Sequence, residues 1–166
     1  MKITGENLIE MFYVSMVDDK MIEVIDTLGL EQPIIDEEYE LYKSVSAKDP
    51  KNMGINLVFS ECNECEDKTV PCLDVISWDS DKNIEVPFRL NFTLSYDEVC
   101  RVLGKKADYN SDLIDELKTW IIEIKDYPKY ILNVMFKEVD FKDIISVVVS
   151  PFAIDKLDDT YIPNKD

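Results

Sequence analysis

Two apolar pentapeptides carry the clearest pattern in this chain, INLVF at 55–59 and LNVMF at 132–136. Ile55, Leu57 and Phe59 fall on alternate positions, as do Leu132, Val134 and Phe136, and a period of two predicts a strand in each place. The apolar runs CLDVISW (72–78) and DIISVVV (143–149) predict a further strand behind each. The aromatic-apolar segments YELY (39–42) and TWII (119–122) predict one ahead of each.

Helical spacing appears elsewhere. Leu8, Ile9, Phe12 and Met16 predict a short helix within 5–16. A second helix starts at Asp18 and Asp19, whose carboxylates suit a helix N-terminus. It carries Met21, Val24, Ile25 and Leu28 and stops at Gly29, the expected C-cap. A third opens at Ser95, with Glu98 three residues on in capping-box spacing, and runs through Val99, Val102 and Leu103 to Gly104.

These elements recur in one order. MIEVIDTLGL (21–30) and YDEVCRVLGK (96–105) share Glu23 with Glu98, Val24 with Val99, Leu28 with Leu103 and Gly29 with Gly104. A polar linker follows each, with IIDE (34–37) matching LIDE (113–116), and then three strands. The sequence reads as a tandem duplication. The fold class it predicts is α+β, a doubled helix plus antiparallel meander. The doubling forms one continuous sheet or two adjoining antiparallel sheets, with helices packed on one side.

Residues 17–83 and 84–150 are the two repeats and 151–166 a C-terminal tail, within one domain over 1–166. The segment IEVPFRLNFTL (84–94) alternates as a long strand joining the lobes, with Pro87 placing it at an edge or a bulge. The polar end KLDDTYIPNKD reads as loosely tied.

Composition changes the picture mainly through charge. The 35 Asp and Glu against 18 Lys and Arg give a formal net charge of −17. Such a field repels the phosphates of nucleic acids and anionic membrane surfaces, and it attracts a basic macromolecule. No apolar run approaches the roughly 20 residues that span a bilayer, and the first residues lack a signal-peptide layout, so the expected address is the cytoplasm.

The chain offers little to catalysis. It contains no His, which removes the commonest general base and metal ligand, and its 4 Gly form no phosphate-cradling loop. Acidic pairs such as Asp36 with Glu37, or Asp115 with Glu116, read as solvated loops in so acidic a protein. The expectation is a protein that is not an enzyme, with no cofactor and no metal. Cys62 and Cys65 form a CxxC in the acidic loop SECNECEDK, where the carboxylates of Glu61, Glu64, Glu66 and Asp67 would raise thiol pKa values rather than lower them. A second such pair is missing, so the four cysteines read as free thiols, Cys72 and Cys100 among them as small core residues.

One resemblance emerges from the ordered features. These are the Leu28-Gly29 helix stop, a Tyr-rich strand ending at Ser44, GINLVF (54–59), a strand ending in Trp78, VPFRLNFTLSYDEVCRVLG (86–104) and Trp120. Over about residues 17–150 this pattern resembles small bacterial immunity proteins, the antidotes encoded beside polymorphic toxins, including contact-dependent growth inhibition systems. The doubled layout is also similar to tandem-repeat enzyme inhibitors such as beta-lactamase inhibitor proteins. The chain departs from those in showing no export signal and no evident disulfides.

The resemblance implies a cognate toxin as partner, most simply a basic nuclease (RNase) bound 1:1, whose cationic surface the inhibitor occludes. Asp or Glu would stand in for phosphate, accepting bidentate bonds from Arg. Candidate contacts are Asp36, Glu37, Glu38, Glu61, Glu64, Glu66, Asp67, Asp79 and Asp81, with the 61–67 loop preferred. Tyr39, Tyr42 and Trp78 are candidate aromatic anchors, although Tyr39 and Tyr42 suit a core equally and Trp78 and Trp120 suit it better. Two other readings share the electrostatics. One is an acidic secretion chaperone, dimeric through Phe12, Tyr13 and the edge near Pro87; the other is a DNA-mimic inhibitor.

Overall fold

The structure, a computed structural model, describes residues 2–165 apart from 63, 66, 67, 81–84, 125–128, 138, 139, 154 and 155, with the backbone alone at Glu38. Among the described residues the strands are β1 (Ser44–Ser46), β2 (Ile55–Ser60), β3 (Cys72–Asp79), β4 (Tyr109–Ser111), β5 (Leu117–Ile122), β6 (Tyr130–Phe136), β7 (Ile144–Pro151) and β8 (Tyr161–Pro163). They form one antiparallel sheet in the order β1-β2-β3-β7-β6-β5-β4-β8. The helices are α1 (Gly5–Ile9), α2 (Asp19–Leu28), α3 (Glu37–Tyr42) and α4 (Tyr96–Leu103). The class is α+β, and the sheet is continuous.

The first six strands of that order are a palindrome of the two repeats: β1, β2 and β3 stand opposite β5, β6 and β7. The central pair confirms the equivalence in detail, because Ile76 faces Val149, Ser77 faces Val148 and Trp78 faces Val147. Each meander also carries a register shift at the same place, between Val58 and Phe59 in one and between Met135 and Phe136 in the other. The extra residues are Asp74 and Ile145, again at matching positions of the two repeats.

One face of the sheet makes the core. Leu57, Ile76, Val149, Leu132 and Trp120 form a row across five strands, and each is 0% exposed. Leu8 and Ile9 of α1, Met21, Val24 and Ile25 of α2, and Val99 of α4 pack onto that cluster. The caps expected for α2 and α4 are present. Asp18 accepts from the Lys20 N–H, Glu98 accepts from the backbone N–H of Ser95, and Gly29 and Gly104 end their helices at φ 71° and 74°. Gly5 is required for another reason: a Cβ there would stand 2.3 Å from the Pro87 nitrogen, so the 86–87 segment packs directly on the α1 backbone.

Four expectations change. The first helix ends at Ile9, because the backbone beyond it bonds instead to β3 and to the residue before that strand: Tyr13 N–H to Leu73 O, Leu73 N–H to Val14 O, and Met16 N–H to Pro71 O. YELY is not a strand; it lies in α3, and the strand that plays its part is β1, beginning two residues later.

The described part of 84–94 is a run of turns. Leu90 N–H bonds Pro87 O, Leu94 N–H bonds Asn91 O, and Phe88 and Arg89 take φ of 61° and 58°. Its alternating apolar residues still reach the core, with Val86 and Leu90 buried.

The C-terminal segment is tied down. It leaves β7 at Pro151, which pairs with Tyr130 at one end of the sheet. It re-enters as β8 with Tyr161 facing Ser111, at the other end and the other edge. On the way Lys156 Nζ meets Asp74 at 2.6 Å, and Ser60 Oγ donates to the same carboxylate. The segment therefore crosses the face opposite the helices diagonally. On that face Thr119, Ile131 and Ser150 are buried.

Candidate partner-binding edge

The clearest candidate surface lies at the β1 edge. Asp36 caps α3 by accepting the Tyr39 N–H at 3.2 Å, and Glu40 N–H returns to Asp36 O. This short helix turns the aromatic ring of Tyr39 inward, 6% exposed, and leaves Leu41 and Tyr42 outside, 72% and 66% exposed. Ile34 and Ile35, in the segment before it, are exposed as well. A groove of about 520 Å³ separates that segment from β1, with Pro33, Ile34 and Asp36 on one side, Ser44 and Ser46 on the other and Tyr42 at its end.

Charge surrounds the apolar residues. Lys43, held at φ 55°, places its Nζ 3.1 Å from Glu40 and 3.9 Å from Glu61. The hydrogen bond to Glu40, then its charge, hold the Lys43 ammonium above its usual value. The ammonium also stands 5.8 Å from the Tyr39 ring centroid. Burial first, and then the Glu61 carboxylate, push the Tyr39 phenol up. Glu61 is brought here by strand pairing, its N–H bonding Lys43 O.

The sequence candidates divide accordingly. Asp36, Glu37, Tyr42 and Glu61 share this edge, with Tyr39 beneath them as its support. Glu64 stands elsewhere, beside Tyr13, whose phenol is raised by burial first and then by Cys62, Glu64 and Asp74. Asp79 is exposed at the far end of the β2–β3 hairpin, where its N–H bonds Gly54 O, about 20 Å along the strands from Glu61. Trp78 is 0% exposed within the core and serves as no anchor. Glu66, Asp67 and Asp81 lie outside the described residues, as does the side chain of Glu38.

Of the 61–67 loop preferred as the contact, Glu61 reaches this edge and Cys65 ties the chain to the start of β3. Cys65 is disulfide-bonded to Cys72, with Cα atoms 6.6 Å apart, which corrects the reading of both as free thiols; Cys62 and Cys100 are free. Cys65 thus meets Cys72 at the start of β3, a proximity that residue spacing alone does not reveal.

Sequence reasoning missed Leu41 as a surface residue, because YELY reads as a strand where α3 stands, and Ile34 and Ile35 read only as part of a polar linker, without a binding role. Among the described residues no group of three or more His, Cys, Asp or Glu side chains could hold a metal ion, and no helix is long and apolar enough to cross a membrane. No family model, no curated protein and no solved structure matches this chain.

Proposed function

We propose that this chain is an immunity protein, a cytoplasmic antitoxin that binds a basic toxin domain, a nuclease in the simplest case, and silences it by covering its cationic surface. The observation that carries the reading is the edge at α3 and β1. There the exposed Ile34, Ile35, Leu41 and Tyr42 are rimmed by Asp36, Glu37, Glu40 and Glu61 on a chain of net charge −17. Exposed large apolar residues clustered within acid mark a protein-binding surface better than a solvated face, since charge alone requires none of them. In this reading the apolar residues form the desolvated centre and the carboxylates steer the approach, and the protein performs no reaction of its own.

The test is co-expression with the polypeptide encoded immediately upstream, capture at low salt, size-exclusion chromatography, and RNase and DNase assays. A 1:1 complex with a basic chain that is toxic alone and inactive in the complex is the expected result. A stable homodimer holding an unfolded secreted segment would overturn it in favour of a chaperone. Displacement of a DNA-binding enzyme from DNA, with no toxin, would favour a DNA mimic.

A further inference from the structure

We propose that the partner contributes an extended basic segment that adds to β1 as a further strand of the sheet; this rests on the partner-binding reading above and specifies how that edge is used. Antiparallel pairing points successive residues alternately toward and away from the neighbouring strand. Lys43 O accepts from Glu61, and Ala47 N–H donates to Leu57 O, so residues 43, 45 and 47 address β2. Ser44, Ser46 and Lys48 therefore address the outer side. Lys48 O is taken there by the Glu31 N–H. Among the described residues nothing bonds the backbone N–H and C=O of Ser44 and Ser46 on that side.

Those groups open onto the groove, not onto a protected edge. Natural sheets shield such an edge with a bulge, a proline or a covering element. Here the chain makes one bridge two residues beyond β1, between Glu31 and Lys48, and then diverges through Pro33, which has no N–H to donate. The space left is bordered by the outer backbone of β1 and by Ile34 and Tyr42, so an added strand about 4.8 Å from β1 finds backbone partners and apolar contacts together.

Charge selects the occupant. Glu31 and Asp36 line the groove against Lys48 alone, Glu37 adjoins Asp36, and Lys43 and Glu40 of the neighbouring α3 end pair with each other. A second copy of the chain would bring another −17 to the same edge, so a basic segment is favoured over self-association.

The test uses the full chain and an end-blocked synthetic peptide alternating Lys and Val, with a second peptide N-methylated at alternate residues. Ser46→Pro removes one outward N–H while leaving the bonds to β2 intact, and Ser46→Thr is its control. Unchanged thermal melting establishes that both variants fold.

The expected result is binding to the native chain and to Ser46→Thr. Slowed hydrogen exchange at Ser44 and Ser46 accompanies it, and affinity falls about tenfold or more with Ser46→Pro or with the methylated peptide. Equal affinity throughout, with exchange at Ser44 and Ser46 unchanged, overturns strand addition, as does a peptide that does not bind. Protection that appears without peptide and grows with protein concentration also overturns it, by placing a second copy at the edge. Failure of the parent reading is read separately, as the absence of any captured basic polypeptide in the co-expression experiment.

Discussion

Asn56 and Asn133 stand in one row of the sheet, joined through the facing pair Ser77 and Val148. Each is the second residue of its pentapeptide, and at the usual strand spacing they lie about 14 Å apart, one on either side of the central pair. The row is what a duplication produces when its two meanders join through their last strands. Equivalent residues then face the same side, here the one opposite the helices. The two Asn are no longer equivalent in what they do, because Asn133 accepts from the buried Thr119 facing it across β5 and β6, whereas Asn56 faces Ser77.

Thr119, 1% exposed, donates its hydroxyl to Asn133 Oδ1 at 2.5 Å. Asn133→Ala leaves that hydroxyl buried without its acceptor and is expected to lower stability by about 1–3 kcal/mol in urea denaturation. Adding Thr119→Val recovers most of the loss. Asn56→Ala, which breaks no such bond, stays within about 0.5 kcal/mol.

Lys156 and Asp74 hold the crossing segment in place. Both side chains are less than a third exposed, and the carboxylate also accepts from Ser60. Lys156→Ala is expected to cost about 1–2 kcal/mol. It should speed hydrogen exchange selectively at Asp112, whose N–H bonds Thr160 O, and at the β4–β8 pairs. Exchange at β2 and β3 should hardly change, which separates loosening of the segment from general destabilisation.

Glu98 is held below the ordinary glutamate range, first by the backbone N–H of Ser95 and then by its hydroxyl. A depressed carboxyl pKa in the folded state means that its stabilisation is complete above the unfolded value of about 4.3 and is lost as pH falls through the lower folded value. Glu98→Gln should therefore lose stability at pH 7 yet fall less steeply than the native chain below about pH 4.3. Parallel pH–stability curves for the two proteins would refute the assignment.

Trp78 and Tyr42 are both candidate anchors in the sequence, Trp78 the better suited to a core, and the structure buries Trp78 and exposes Tyr42. Trp78→Ala empties a site in the core and is expected to cost about 3–5 kcal/mol of stability. Trp78→Phe, measured where it is folded, should leave partner affinity unchanged. Tyr42→Ala should leave stability within about 0.5 kcal/mol while lowering affinity for the captured toxin by about tenfold or more.

Charge at the same edge acts on rate. Glu37→Lys together with Glu40→Lys is expected to slow association with a basic partner and flatten its dependence on salt, while dissociation changes less. Stopped-flow association at low and at about 0.15 M salt tests this. The same reversal at Asp79, on the far end of the hairpin, should have little effect.

The sequence by itself determined α2 and α4, whose caps at Asp18, Glu98, Gly29 and Gly104 act within a single turn. It also determined β2 and β6, whose alternating residues meet the core whatever lies beside them. The doubling was legible for the same reason, since a repeated local pattern needs no knowledge of its partners.

Tertiary structure decided the rest. YELY forms α3 because the chain enters the sheet only at Ser44, where β2 accepts it. The alternating residues of 84–94 reach the core from turns, and the polar tail becomes β8 because Tyr109–Ser111, some fifty residues earlier, presents an unfilled edge. Of the candidate site, acidity and the residues Asp36, Glu37 and Tyr42 were visible in the chain. That Glu61 joins them, that Asp79 and Trp78 do not, and that Ser44 and Ser46 keep outward backbone groups all follow from strand pairing between distant segments, which local periodicity does not encode.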